Sequence, residues 1–201
     1  VDNPDYDCQP LVEHHLVRPD GLLYMFTHAL IQGGIYASLL KNQRIELHRQ
    51  AAAWYSKRDI VLQAEHLERA GDSAAVEAYL QAARRESELY RPERALQLAR
   101  RGLDIAPPAE SFALRCLEGG LLRSHGNVPE SIEAYRSATE VATGDVDRCN
   151  ALIGMAQGMA VTAAHSEALE ILNSAIEIAQ QHKLVLEQAR IHRTLGKVHF
   201  Y

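Results

Sequence analysis

The chain has 201 residues, 47% of them hydrophobic and 23% charged, enough to bury a core without disulfide or metal staples. Its formal charge of −5 argues against a nucleic-acid-binding surface as the main purpose, and no apolar run approaches the ~18 residues that span a bilayer. Three dispersed cysteines, Cys8, Cys116 and Cys149, with no CxxC pair, exclude a disulfide framework, disfavour a structural zinc site and suit a reducing cytoplasm.

The first residue is Val1, and a helical pattern runs into Tyr201 without a stop signal, so an excerpt of a longer polypeptide is expected, with no signal peptide at its front. Pro4, Pro10 and Pro19 punctuate the first twenty residues. "RPDG" (18–21) is a turn signal, and the apolar, aromatic "LLYMF" (22–26) after it reads as a strand, one arm of a small hairpin. Helices are expected near 27–38 and 42–56. Further helices follow near 59–70, 74–88, 92–105, 110–125, 129–142, 147–162, 166–181 and from 185 onward, each with apolar residues at helical spacing. Pro92 and Pro129, each followed by Glu, stand where a helix start tolerates proline, and Pro107-Pro108 stops the helix before it. The short connections make each helix antiparallel to the next.

Three segments align: "RPERALQLARRGLDIAP", "VPESIEAYRSATEVAT" and "HSEALEILNSAIEIAQ". Each has a small residue (Ala95, Ser131, Ala168), a packing residue four places on (Ala99, Tyr135, Leu172) and a second small residue at seven (Gly102, Ala138, Ala175). Successive anchors lie 36 and 37 residues apart. Twelve residues before them stand Ala83, Gly119 and Ala156, with Gly196 as a fourth member. Small residues at two places on adjacent helices let the backbones approach, and the larger residue fills the gap beside them.

This pattern resembles the tetratricopeptide repeat, in a bacterial variant somewhat longer than about 34 residues. The resemblance covers about 75 to 201, with a degenerate unit at 64–83. The usual tryptophan is absent, and the closing proline stands only at Pro107. It implies an all-α solenoid of helical hairpins, a right-handed superhelix over 57–201, whose stability comes from stacking neighbours. The repeat register puts Glu77, Arg84, Glu88, Arg123, Gln157, Arg190, Arg193 and Lys197 on a concave groove for a protein or peptide, or for other domains of the same chain. Singly, each of these is an ordinary solvated helix position.

The front of the chain has a second resemblance. Phe26, His28, Leu30, Ile31, Tyr36, Ser38, Leu39, Leu40, Arg44, Leu47, His48 and Ala51 are similar to the end of a winged-helix domain in signal-transducing (STAND) NTPases, where an ATPase core and winged helix lead into helical repeats. Bacterial multidomain adenylate/guanylate cyclases and LuxR-type or MalT-like regulators are of this kind. The resemblance implies a winged-helix remnant over 1–56. It also implies a nucleotide-sensing role for His28, because a histidine at that junction touches the β-phosphate of ADP in the superfamily. Here Ala29 replaces the motif's aspartate, and a helix-capping histidine is the alternative. Arg44 and His48 share a helix face, read as a solvated face against a neighbouring domain. Trp54 and Tyr55 are expected to plug the junction with the repeats.

Catalytic signatures are missing: there is no GxxxxGK[ST], no GxGxxG after a strand and no HExxH. His14-His15 are adjacent and His192 and His199 are seven apart, poor spacings for one metal. Cys116 reads as a core residue. The expectation is a non-catalytic interaction segment without cofactor or metal, cytoplasmic, with neither membrane nor nucleic acid as partner. A free-standing repeat adaptor without an NTPase is the rival.

Overall fold

The computed structural model describes residues 7–21 and 23–200, and the side chains of all of these except Leu23, His199 and Phe200. Contacts divide the chain into two compact units, residues 1–73 and 74–201.

The first unit opens with a short helix, α1 (Gln9–Glu13), which the sequence reading did not anticipate; Pro10 lies in its first turn. Strands β1 (Val17–Asp20) and β2 (Leu23–Phe26) then form an antiparallel hairpin, Val17 opposite Phe26 and Asp20 opposite Leu23. The expected "RPDG" turn is corrected here. Arg18, Pro19 and Asp20 belong to β1, and the chain reverses after them at Gly21, whose φ of 61° suits glycine. Proline is tolerated because both strands of a two-stranded sheet are edges. Leu22, expected to begin the strand, lies outside the described residues. Thr27 closes the hairpin, its Oγ1 donating to His15 O at 2.5 Å and its N–H to Leu16 O at 3.0 Å.

Three helices complete this unit: α2 (Ala29–Ser38), α3 (Lys41–Tyr55) and α4 (Ile60–Ala70). Helix α3 packs along α4. The Asp59 carboxylate caps α4, accepting from Val61 N at 2.9 Å and Leu62 N at 3.1 Å. Gly71, left-handed at φ 66°, ends it.

The second unit contains α5 (Ala74–Glu88), α6 (Pro92–Ile105), α7 (Phe112–Ser124), α8 (Val128–Val141), α9 (Asp145–Val161), α10 (His165–Gln181) and α11 (Val185–Phe200), with a 3₁₀ turn at Pro108–Glu110. Pro92 and Pro129 lie in the first turns of α6 and α8, where the missing N–H has no intrahelical partner to lose. Consecutive helices pack on one another, and α5, α7, α9 and α11 also touch in sequence, so alternate helices form one continuous layer. This is the tetratricopeptide-type solenoid.

The small-residue anchors do what their spacing predicts. Ala83, Ala95, Ala138, Ala156, Ala168 and Ala175 are fully buried. The hydroxyl of buried Ser131 donates to Gly119 O at 2.7 Å, tying α8 to α7. Tyr135, four residues on, is the large residue in the gap. One edge of its ring lies against Gly119 of α7 and the other against Gly154 of α9. A Cβ on Gly119 would stand 2.7 Å from the ring's Cε2, and one on Gly154 would stand 2.5 Å from its Cδ1. Gly102 is similarly covered by Leu114 and Tyr79. Gly196, the fourth anchor, differs: a Cβ there would meet nothing within 4 Å. Leu172 and Ile191 are fully buried in the core of α9, α10 and α11, each contributing about 1.5–3 kcal/mol by burial.

Candidate functional site

Six of the eight groove positions inferred from the repeat register come together in two cavities on the layer of alternate helices. The larger, about 910 Å³, is walled by Arg123 at the end of α7, Gln157 and Val161 of α9, His165 at the start of α10, and Arg193 and Lys197 of α11. The smaller, about 350 Å³, brings Arg84 of α5 and Arg190 of α11 together around Cys116, Tyr135 and Asn150. Helical spacing explains the grouping: Arg190, Arg193 and Lys197 lie three, four and seven residues apart, which is one face. Glu77 and Glu88 line neither cavity. Glu77 accepts from Gln81 Nε2 at 2.9 Å, and Glu88 is exposed on the last turn of α5.

Side-chain amides order two of these arginines. Arg123 Nη1 donates to Gln157 Oε1, linking α7 to α9, and Arg190 Nη1 donates to Asn150 Oδ1, linking α9 to α11. An amide oxygen satisfies one of a guanidinium's five N–H donors and leaves its charge in place. Arginines on or just before the other layer contrast with these: Arg91 and Arg94 face buried Glu86, Arg100 pairs with Glu118 at 2.9 Å, and Arg136 pairs with Glu133 at 2.7 Å. Asn150 and His165 were missed in the sequence. Asn150 lies seven residues before Gln157 and so shares its face, a signal that was there to use. His165 Nδ1 is buried with no hydrogen-bond partner among the described residues.

The cysteine in the smaller cavity is held as a thiol. Burial, helped by the nearby Asp147 carboxylate, pushes the Cys116 thiol up to about 12, where almost none is thiolate at neutral pH. Burial also raises the Tyr135 phenol.

In the first unit His28 stands at the strand-to-helix junction, exposed, as the N-cap residue of α2. It occupies the capping position, and its side chain makes no capping bond there. The solvated-face reading of Arg44 and His48 is corrected at His48, which is buried. Tyr36 Oη lies 2.9 Å from His48 Nε2, and His48 Nδ1 lies 2.9 Å from His66 Nδ1 on α4. Tyr55 stacks on the His66 ring and meets Trp54 edge-on. Arg44 keeps its guanidinium over the Tyr36 ring, 5.3 Å from the centroid. Burial, then the mutual proximity of the two rings and the Arg69 charge, lower the pKa of His48; burial and Arg69 lower that of His66 against the opposing pull of Glu65.

Among the described residues, no three histidine, cysteine or carboxylate side chains cluster as metal ligands, and no helix is long and apolar enough to cross a membrane. No protein-family model matches the sequence, and no curated protein matches it. Solved structures similar to this chain include a tetratricopeptide protein. YrrB, described as a TPR protein with an unusual peptide-binding site, is 20% identical, with 73% of this chain and 74% of that one covered and a TM-score of 0.50. A MamA structure is 12% identical over 78% of this chain and 91% of that one, at a TM-score of 0.49. The likeness to YrrB establishes the fold.

Proposed function

We propose that residues 74–201 form a non-catalytic interaction surface that holds a protein or peptide segment against the face of α5, α7, α9 and α11. The observation that carries this reading is the pair of cavities on one helical layer, floored by side chains bonded from one repeat to the next. The fold shared with YrrB, whose described site binds peptide, supports it.

On this reading the first unit, with a winged-helix remnant over 1–56, belongs to a larger cytoplasmic bacterial signalling protein. A STAND ATPase would drive a cyclase or transcription-regulator output, and His28 would sense the nucleotide. The repeat face would then receive a partner protein or another domain of the same chain. A free-standing adaptor would use the same face without the ATPase.

The test is selection of random 12-residue peptides on the immobilised chain, followed by amide chemical shifts with the recovered peptides. Shifts concentrated on α7, α9 and α11 are expected. No recovered peptides, or shifts confined to α6 and α8, would refute the reading.

A further inference from the structure

We infer that the segment held on this face is acidic, an extended polypeptide that places carboxylates in both cavities; this rests on the reading that the face holds a polypeptide at all.

The chain as a whole is anionic, at −5, yet this surface is cationic. Arg123, Arg193 and Lys197 wall the larger cavity, Arg84 and Arg190 the smaller, and no carboxylate lines either one. Asp147, close enough to raise the Cys116 thiol, is one negative charge beside the smaller cavity. Among the described residues Arg84, Arg193 and Lys197 have no ion-pair partner. Arg190, Arg193 and Lys197 succeed one another at three and four residues on α11, where like charges repel and weaken the helix. The C-terminal end of the α11 dipole favours a cation at Lys197, but not the mutual repulsion along the row, which a ligand carboxylate would relieve.

The amide bonds add geometry to charge. Gln157 and Asn150 fix Arg123 and Arg190 across adjacent repeats without neutralising them. A guanidinium already held in place loses less side-chain freedom when it takes a carboxylate, so more of the charge-assisted bond appears as affinity. Val161 and Val198 put apolar surface beside the charges in the larger cavity. An acidic segment with interspersed apolar side chains matches that mixture of cations and aliphatic surface, which offers no phenylalanine, tyrosine or tryptophan among its lining residues for stacking a nucleic-acid base.

The peptide pool selected on the full chain tests this. Its recovered sequences should be enriched at least threefold in Asp and Glu over the starting library. A synthetic peptide with the commonest recovered sequence should bind at least tenfold more weakly with its carboxylates changed to amides, and more weakly at 300 mM than at 50 mM NaCl, because exposed charges are screened. Arg193→Glu with Lys197→Glu, both exposed, should keep the wild-type melting temperature and shift the recovered pool toward Lys and Arg. A recovered pool with no acidic bias, or one unchanged by the charge reversal, overturns the acidic assignment and leaves the interaction surface standing. No recovered peptides overturns both. Oligothymidylate of twelve nucleotides binding as tightly as the acidic peptide overturns the assignment in favour of a phosphate polymer.

Discussion

Gly154→Ala tests the packing that holds the repeats in register. The Tyr135 ring is wedged between Gly119 and Gly154, so a methyl at 154 would stand 2.5 Å from Cδ1, inside the 3.0 Å that real Cβ contacts do not breach. The ring has little room to retreat, because its far edge already lies against Gly119. Either the ring leaves its rotamer or α8 and α9 separate; overpacking of this kind costs about 1–3 kcal/mol, and contact on both edges puts it near the top of that range. Alanine returns about 1 kcal/mol of helix propensity over glycine, so the net loss expected is about 2 kcal/mol. In a Tyr135→Ala background, itself about 3–5 kcal/mol less stable, the obstruction is gone and only the propensity gain remains. Gly154→Ala should then stabilise by up to about 1 kcal/mol, a coupling of about 3 kcal/mol across the cycle. Urea titration followed by far-UV circular dichroism reads all four corners. Equal effects of Gly154→Ala in both backgrounds would show that the ring does not occupy the gap and would refute the packing argument.

Stability of the first unit should fall as pH drops below about 6.5. His48 and His66 have lowered pKa values in the folded state, so the unfolded chain binds more protons in the window beneath the ordinary value, and stability rises with pH there. Trp54, the only tryptophan, sits in this unit beside Tyr55, so its fluorescence during urea unfolding at pH 5.5 and 7.5 reads the effect, and His48→Gln with His66→Gln should flatten it. Tyr90, 93% exposed and left-handed at φ 57°, should become glycine with a gain of about 1 kcal/mol, read as a raised melting temperature. Asp59→Ala should cost about 1 kcal/mol through loss of the α4 cap, measured by urea unfolding. At pH 8 iodoacetamide should leave Cys116 unmodified on the timescale that labels a free thiol, with mass spectrometry of the digest as the readout.

Helix positions were legible because the second unit marks its ends chemically. Proline at a first turn, as at Pro92 and Pro129, and left-handed turns such as Gly126 leave little freedom in where a helix stops. The layer packing was legible too, since Ser131, Tyr135 and Gly119 follow one spacing. Other features depend on partners distant in sequence. Nothing in the spacing of α3 reveals that His48 meets His66 on α4 across eighteen residues, so it was read with Arg44 as part of a solvated face against a neighbouring domain. β1 was hidden by Pro19, which argues against a strand unless both neighbours are known to be edges. Register alone also chose Glu77 and Glu88, which lie on α5 on either side of Arg84, the one α5 residue that lines the smaller cavity.

The two halves of this design occupy different surfaces, and that has a physical consequence. The close contacts that set the repeat geometry lie between layers: Tyr135 from α8 reaches glycines on α7 and α9, and Ser131 bonds the α7 backbone. The cations that line the two cavities lie on one layer, on α5, α7 and α11. Changing Arg193 or Lys197 removes no buried contact, while changing Gly154 removes no charge. Tyr135 is the exception, since the same ring that spaces α7 from α9 also borders the smaller cavity with Arg84 and Arg190. A substitution there would move the helices that carry Asn150 and Cys116 and so alter the charged face from beneath. Loss of binding on Tyr135→Ala therefore speaks about spacing, and only the exposed cations of α11 isolate the contribution of charge.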